Sequence, residues 1–269
     1  MVVPWTTTRS LSELDQPERV EHLRGIIAGK PFLRRLYLEL YGRYAACLRR
    51  CPPGGVAVEL GSGAGFVKEV LPEVVTSDVL AYPGVDRVID GTHMPFQDGT
   101  LRAALLLNVF HHLADAEAFL REAERCLAPG GRLLIIDQHP GLISTPILRH
   151  LHHEPFRPEA AAWAFETTGP LSGANGALAW IVFRRDLARL REVVPGLELV
   201  RYEPHTPLRY WLAGGLKRWS ALPGWAFPMA TVLDRVLTWC SPRLASFVDV
   251  ELVRAVAPPG AGSHPRSRG

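Results

Sequence analysis

The chain has 269 residues, of which 47% are hydrophobic and 21% charged, and its formal net charge at pH 7 is +3. This composition fits a globular protein with a large core. So small a net charge argues against nucleic acid as a substrate. No apolar segment reaches the roughly 20 residues of a membrane-spanning helix, because two prolines and a glycine interrupt the longest one, residues 219–233.

The N-terminal part of the chain is predicted to be helical. Apolar residues recur at helical spacing from about 11 to 50, which predicts a helical cap over residues 1–51. The four cysteines lack the paired spacing of a zinc or redox site, and residues 1–10 lack a signal-peptide pattern. We therefore expect free thiols and a cytoplasmic location.

The next segment is the most informative one. Val56–Leu60 is short, apolar and largely β-branched, which predicts a parallel strand buried on both faces. Gly61, Gly63 and Gly65 then allow a tight turn that approaches a ligand closely. Phe66–Leu71 suits the first turns of a helix. A ligand at the end of a strand, beside a helix N-terminus, is typical of nucleotide-like cofactors in open α/β sheets.

The remaining pattern alternates short strands with helices. Strands are predicted at 74–79, 85–90, 101–108, 132–137, 197–203 and 247–256, with helices at 115–127 and 184–194. The main domain then covers 52–256, with insertions at about 139–180 and 205–246. Residues 257–269, rich in Pro, Gly, Ser and Arg, are predicted to be a disordered tail.

The glycine turn differs from a dinucleotide-binding fingerprint. That fingerprint needs glycine at the first, third and sixth positions, and the sixth position here is Phe66. The third glycine is Gly65, and an acid precedes the turn at Glu59. This acid-x-Gly-x-Gly-x-Gly arrangement resembles motif I of class I S-adenosylmethionine-dependent methyltransferases. Phe66 also argues against a nicotinamide oxidoreductase.

Later segments resemble the same family. They are the Asp-Gly-Thr-His-Met-Pro-Phe-Gln-Asp-Gly stretch 90–99, the Asn-Val-Phe-His-His stretch 108–112 and the Pro-Gly-Gly turn 129–131. The chain therefore resembles the type 11 methyltransferase-domain group across about residues 55–140. The resemblance implies an α/β, Rossmann-like, seven-stranded mixed sheet with helices on both faces and an antiparallel seventh strand. An N-terminal helical cap and a helical insertion before the last strand complete this fold. The cap either folds over the cofactor and acceptor pocket or only covers an edge of the sheet.

The implied cofactor is S-adenosylmethionine. By the resemblance Glu59 takes up its ammonium group, Asp90 accepts from the adenine amino group, and Asn108 contacts the methionine portion or simply caps a strand end. Asp78, an acid at the end of the second strand, suits the ribose hydroxyls. The predicted cofactor-binding residues are Glu59, Gly61, Ser62, Gly63, Gly65, Asp78, Asp90, Gly91 and Asn108.

The predicted catalytic residues are two histidines. By the resemblance His111 faces the acceptor, and neutral imidazole can take a proton from a hydroxyl near physiological pH. His139 follows the fifth strand and is expected in the same crevice. The alternative for each is a structural histidine. A metal is not expected, because nothing completes a site around the His-rich segment 150–154 and methyl transfer does not require one.

The function that follows is methyl transfer from S-adenosylmethionine to a small or medium-sized, partly apolar acceptor, most simply at oxygen. The acceptor is a small molecule or lipid-linked, and no nucleic acid is expected. The insertion 205–246 carries four tryptophans and either covers the acceptor pocket or contacts a membrane surface, with Lys217 and Arg218 near headgroups. The loop 166–176 either contacts the acceptor or is a plain surface loop. The alternative function is a non-catalytic binding or scaffold protein with this fold.

Overall fold

A computed structural model describes residues 17–167 and 173–256. The predicted tail 257–269, part of the predicted cap and the centre of the 166–176 loop lie outside the described residues. The strands are β1 Val56–Leu60, β2 Val75–Asp78, β3 Arg87–Val88, β4 Leu101–Leu107, β5 Leu127–Gln138, β6 Leu197–His205 and β7 Phe247–Arg254. The α-helices are α1 Pro17–Ala28, α2 Pro31–Leu48, α3 Ala116–Cys126, α4 Ser144–His150, α5 Leu178–Trp180, α6 Leu187–Val193, α7 Arg209–Leu212 and α8 Phe227–Cys240.

The seven strands form one mixed sheet in the order β3-β2-β1-β4-β5-β7-β6. β1 to β5 pair in parallel, and β7 runs antiparallel to both β5 and β6. The predicted fold class is therefore confirmed, including the antiparallel seventh strand. The strand order reverses between β1 and β4, and such a switch point leaves a crevice at the carboxyl ends of the strands.

Both faces of the sheet are covered. In β4, Ala104 and Leu106 belong to one buried cluster, together with α3 and α6. Ala103 and Leu105 belong to the other cluster, together with α2. Because successive side chains of a strand point to opposite faces, each central strand carries apolar residues at nearly every position. This explains why the sequence shows continuous apolar runs rather than alternation.

The chain after the glycine turn departs from the prediction. Only a single 3-10 turn, Val67–Glu69, follows the turn, where the sequence predicts a helix. Pro72 stands too close for a helix to develop, since it removes a backbone donor and disfavours helical geometry in the residue before it. The third strand is also shorter than predicted, because pairing with β2 is limited to Arg87 and Val88.

The predicted turn at 129–131 is built into β5 as a bulge. Leu101 pairs with Leu127, but Ala103 already pairs with Arg132, so the intervening residues of β5 bulge out of the ladder. Gly130 has φ 79° within this bulge. The predicted helix at 115–127 is confirmed as α3, which begins where the Asp115 side chain accepts a hydrogen bond from the Ala118 amide at 2.9 Å.

Candidate active site

A cavity of about 1060 Å³ lies at the carboxyl ends of β1, β2 and β4. This volume is at the upper end for ligand sites and has room for more than one small ligand. One wall consists of the glycine turn and the strand ends beside it. Residues of α1, of the 150–155 segment and of the insertion 205–246 form the remaining walls. α1 thus lies over the cavity, while α2 packs on the sheet.

The glycine turn is sterically fixed. Gly61 has φ +70°, and a Cβ atom there would lie 2.5 Å from a methyl group of Val109. A Cβ atom on Gly65 would lie 2.7 Å from the Tyr41 hydroxyl. Ser62 joins the turn to β2, since its amide donates to the Ser77 carbonyl at 2.8 Å. No side chain larger than hydrogen therefore fits at Gly61 or Gly65 without movement of these neighbours.

Glu59 lies at the end of β1 with its side chain buried. Among the described residues its Oε2 atom has no hydrogen-bond partner. Burial raises the pKa of Glu59 to about 7. A buried carboxylate oxygen without a partner is costly in free energy, so this position fits a cationic group supplied by a ligand.

Asp78 ends β2 and tightens the same turn. Its Oδ2 accepts from the Gly63 amide at 2.9 Å, and its Oδ1 accepts from the Leu80 amide at 3.4 Å. Burial raises the pKa of Asp78. The carboxylate faces the cavity and retains lone pairs for two hydroxyl donors.

Asp90 and Gly91 line the cavity beyond β3. The Asp90 Oδ1 accepts from the amide and the hydroxyl of Thr92, at 2.8 and 2.7 Å. Gly91 is packed against Phe119, so that a Cβ atom on it would lie 3.2 Å from that ring. The Asp90 side chain is exposed, and its Oδ2 lies 3.8 Å from His93 Nδ1.

Asn108 follows β4 in a left-handed conformation with φ 56°. Asparagine tolerates this region better than most residues, but the conformation is still uncommon and is concentrated at functional sites. Its Oδ1 atom is buried and has no hydrogen-bond partner in the part of the chain described. Asn108 and Glu59 therefore each present an unsatisfied oxygen at the same end of the cavity.

His111 lies in the cavity wall between two carboxylates. Its Nδ1 is 2.6 Å from Asp137 Oδ1, and its Nε2 is 3.3 Å from Glu154 Oε2. Burial alone would lower the pKa of His111, but Asp137 and Glu154 reverse this effect and raise the pKa to about 10. The two carboxylates therefore favour the protonated form of this imidazole.

Glu154 gathers several histidines around one carboxylate. Its Oε1 lies 3.5 Å from His112 Nε2, and its Oε2 lies 3.5 Å from His152 Nδ1. Burial would raise the pKa of Glu154, but the histidines hold it well below its usual range. Burial and the neighbouring His111 lower the pKa of His112. We refer to His111, His112 and Glu154 as the histidine–glutamate cluster.

His139 lies away from the cavity wall. Its Nδ1 is 3.0 Å from the Tyr202 hydroxyl on β6, and it is not among the residues that line the cavity. Burial lowers the pKa of His139 to about 4, so its ring is neutral at physiological pH. His139 therefore lies against β6 and outside the cavity that contains His111.

Part of the insertion 205–246 closes the cavity. We refer to residues 209–219 as the lid segment; Tyr210, Trp211 and Trp219 line the cavity from it. Lys30 holds this segment, because its ammonium donates to the carbonyls of Gly215 and Lys217 at 2.6 and 2.9 Å.

Sequence reasoning missed Glu154, Asp137 and Gln138 as members of the site. The pair His111-His112 was visible in the post-strand motif, but its partner Glu154 is more than forty positions away. The sequence of residues 150–154 suggested that His150 shares a helix face with later residues, but α4 ends at His150. His150 belongs to neither group of potential metal ligands among the described residues.

An open sheet with an antiparallel β7 and a ligand cavity at the ends of β1, β2 and β4 defines the class I methyltransferase fold. Residues 58–135 match the family model of the methyltransferase domain. The predicted resemblance is therefore confirmed over residues 58–135: this part of the chain carries a methyltransferase domain of the kind that uses S-adenosylmethionine.

Two similar proteins illustrate the range of the family. The probable tRNA methyltransferase 9B of Mus musculus is 28% identical over 137 residues, which is 44% of this chain and 31% of that relative. The chain thus matches less than a third of that relative's length. The geranyl diphosphate C-methyltransferase of Streptomyces coelicolor A3(2), solved with Mg²⁺, geranyl diphosphate and S-adenosyl-L-homocysteine, has a similar fold. It is 19% identical with a TM-score of 0.51, covering 92% of this chain and 90% of that chain.

Among the described residues, no helix is both long enough and apolar enough to cross a membrane.

Proposed function

We propose that this protein transfers the methyl group of S-adenosylmethionine to an acceptor bound in the same cavity. The observation that carries the proposal is that one cavity joins the glycine turn to the histidine–glutamate cluster beneath the lid segment. The cofactor supplies a methyl group already activated by a sulfonium. The protein has to hold the acceptor behind that methyl group and to exclude water.

The cofactor end of the cavity is assigned to the β1, β2 and β4 ends. The unpartnered Oε2 of Glu59 suits the ammonium group of the cofactor, and Asp78 suits the ribose hydroxyls. Asn108 Oδ1 suits a donor on the methionine portion. Asp90 and Gly91 border the space for adenine. These roles are supported by the buried oxygen atoms of Glu59 and Asn108, which a ligand would satisfy.

The acceptor end is assigned to the lid segment and the histidine–glutamate cluster. Aromatic and aliphatic side chains of Tyr210, Trp211, Leu216 and Ile147 favour an acceptor with apolar surface. The polar cluster favours an acceptor with a heteroatom at the reacting position, and we propose oxygen. His111 then positions Glu154 beside this heteroatom, because its two ring nitrogens face Asp137 and Glu154.

A nucleic-acid acceptor is the second candidate, since one relative is described as a probable tRNA methyltransferase. The surface charge does not favour it. Many arginines are neutralised by carboxylates, for example Arg50 with Glu251 at 2.7 Å and Arg125 with Glu122 at 2.6 Å. A mobility-shift titration with bulk tRNA tests this: we expect no complex at micromolar protein in 150 mM salt, and a salt-sensitive complex would favour tRNA.

We also propose a peripheral membrane contact through α8. The outer side of α8, together with Trp225 in the turn just before it, exposes a stripe of large apolar residues, which we call the apolar helix face: Trp225, Met229, Val232, Leu233, Val236 and Trp239. The exposed charges of the insertion 205–246 are all basic, because Asp234 is buried against Arg209. An apolar stripe with tryptophans and basic neighbours suits an anionic lipid surface. Such a contact would bring a lipid-linked acceptor to the lid segment.

Calorimetric titration with S-adenosylmethionine and S-adenosylhomocysteine tests the main proposal. We expect micromolar binding by the wild type, loss of binding by Asp78→Ala, and no change in Asp98→Ala. Asp98 is the matched control, because it pairs with Arg125 and does not line the cavity. No binding by the folded wild type would contradict the proposal. Binding without turnover on any acceptor would favour a non-catalytic binding protein.

A further inference from the structure

The histidine–glutamate cluster has the geometry of a metal-ion site. One possible ligand atom from each of His111, His112 and Glu154 lies within 4.8 Å of the other two. The Nε2 atoms of His111 and His112 are 3.3 and 3.5 Å from the two oxygens of Glu154. Ligands about 2.0–2.2 Å from a tetrahedral ion are separated by roughly 3.3–3.6 Å. The distance from each histidine to its nearer Glu154 oxygen thus already matches the edge length of such a tetrahedron.

The other nitrogen of each histidine has a fixed partner. Nδ1 of His111 faces Asp137 Oδ1 at 2.6 Å, and Nδ1 of His112 faces the Gly173 carbonyl at 3.0 Å. Both partners are acceptors, so these contacts assign the hydrogen to Nδ1 in both rings. Metal-binding histidines almost always donate their second nitrogen to a carboxylate or a carbonyl in this way. In both rings Nε2 therefore faces Glu154, and an ion bound there would take the place of the proton that the two carboxylates favour on His111.

The described donors satisfy this arrangement only in part: the Gln138 amide nitrogen lies 3.4 Å from His111 Nε2 and 3.5 Å from Glu154 Oε2. A single proton between His111 and Glu154 satisfies that pair, but it leaves His112 Nε2 facing Glu154 Oε1 at 3.5 Å, an acceptor facing an acceptor. Protonation of both rings would set two cations in contact, because the ring centroids of His111 and His112 are 4.1 Å apart. One divalent cation satisfies both nitrogens and the carboxylate at once.

The cluster leaves a fourth ligand position. All three side chains line the cavity that also contains the glycine turn. Catalytic zinc sites have three protein ligands, two histidines and a glutamate among the known sets, and keep the fourth position for water or substrate. Two imidazoles and one carboxylate suit zinc and its transition-metal neighbours, whereas magnesium prefers oxygen ligands alone.

We propose that His111, His112 and Glu154 bind one divalent transition-metal ion of the zinc type, and that this ion binds the acceptor heteroatom. The second half of the proposal rests on the proposed methyl transfer. The acceptor's O–H proton leaves to solvent as its oxygen coordinates the ion. That oxygen then forms a bond to the methyl carbon while the carbon–sulfur bond breaks, and the sulfonium becomes the neutral thioether of S-adenosylhomocysteine. The ion keeps its oxidation state throughout.

The test measures metal binding directly on the full chain. The protein is stripped with a chelator and titrated with Zn²⁺ and with Co²⁺, whose visible spectrum reports a tetrahedral site. We expect one equivalent of each ion, with at least tenfold weaker binding in His112→Ala and in Glu154→Gln. His150→Ala is the matched control and should bind like the wild type, because His150 lies outside the cluster. Circular dichroism verifies that each variant is folded.

Two outcomes would overturn the inference. One is a folded wild type that binds neither ion at micromolar concentration. The other is unchanged stoichiometry and affinity in both cluster variants, which would assign the ion to other ligands. Titration with S-adenosylmethionine on the same samples separates the two proposals. Cofactor binding without metal binding retains the proposed function and rejects the metal site. Metal binding without cofactor binding retains the metal site and rejects the proposed function.

Discussion

The amide of Gly63 donates a hydrogen bond to Oδ2 of Asp78 at 2.9 Å. This bond joins the glycine turn after β1 to the end of β2, across fifteen positions of sequence. The same carboxylate both shapes the turn and faces the cavity. The turn and its candidate ribose acceptor are therefore one structural unit, and a substitution at Asp78 affects both.

Replacement of Asp78 by asparagine separates these two roles. The amide oxygen of Asp78→Asn can still accept from Gly63, so we expect the fold to be retained. The loss of the charge removes a charge-assisted hydrogen bond worth about 1.5–3 kcal/mol, which corresponds to an affinity for S-adenosylmethionine roughly 10- to 100-fold weaker. Calorimetry measures the affinity, with Asp98→Asn as the control. Unchanged affinity would show that Asp78 only supports the turn.

The pKa of Glu59 predicts how cofactor binding depends on pH. Glu59 has a pKa of about 7, so it is increasingly protonated below pH 7 and then attracts an ammonium group less. We expect the affinity of the wild type for S-adenosylmethionine to fall by up to about tenfold per pH unit below pH 7. Glu59→Gln should bind weakly at every pH and show no such dependence. A wild type whose affinity is constant from pH 5.5 to 8 would contradict this role.

The same residue predicts a pH-dependent stability. Since the folded-state pKa of Glu59 is raised above the ordinary value of 4.5, the folded state binds the extra proton between pH 4.5 and 7. The free energy of unfolding therefore decreases as pH rises through this window, by on the order of 3 kcal/mol at most. Glu59→Gln lacks this effect and should be more stable than the wild type at pH 8, but not at pH 4.5. Urea unfolding at both pH values measures the difference.

Gly61→Ala tests the steric constraint on the turn. The added Cβ atom would lie 2.5 Å from a methyl group of Val109, and the residue has φ +70°. We expect a loss of roughly 2–4 kcal/mol in the free energy of unfolding, from the clash and the left-handed backbone together. The double variant Gly61→Ala/Val109→Ala should regain the part of the unfolding free energy that the clash costs, but not the part that the left-handed backbone costs.

Gly42→Ala is the matched control for that prediction. Gly42 lies inside α2, and a Cβ atom there meets nothing within 4 Å. Alanine should therefore stabilise the helix by roughly 0.5–1 kcal/mol. Equal effects of the two glycine substitutions in urea unfolding would reject the constraint at Gly61.

The apolar helix face predicts binding to anionic lipid. Trp225, Met229 and Trp239 are 73%, 70% and 85% exposed, and their combined replacement by serine should weaken binding to phosphatidylserine-containing vesicles at least tenfold. Arg235→Gln/Arg243→Gln should reduce the preference for anionic over neutral vesicles. Val88→Ser is the control, because Val88 is exposed on β3, outside α8.

Vesicle co-sedimentation measures this binding, and light scattering measures the oligomeric state of the same samples. Equal sedimentation of the triple serine variant and the wild type would reject the membrane contact. A wild type that forms dimers which the serine variant does not form would assign the apolar helix face to self-association instead.

Local sequence alone predicted most of the strands. Val56–Leu60 is predicted as a buried strand because it is short and apolar apart from Glu59. The resemblance pointed to Glu59 and Asn108, and a place at the end of a predicted strand pointed to Asp78. These three residues lie at one edge of the sheet because the ends of parallel strands meet there. The helix predicted after the turn was wrong, since Pro72 outweighs the local propensity of residues 66–71.

Only the tertiary structure decided the acceptor end. His111 and Glu154 meet because β4 and β5 are neighbours in the sheet and the chain folds back after α4. His139 follows β5 and His111 follows β4, yet His111 lines the cavity whereas His139 lies against β6. Consecutive side chains of an extended chain point to opposite sides, so a place after a strand does not decide which side a residue faces. Spacing along the sequence carries no information on which distant side chains converge. Strand order and packing around the cavity bring His111, His112 and Glu154 together, and these three residues form the candidate metal site.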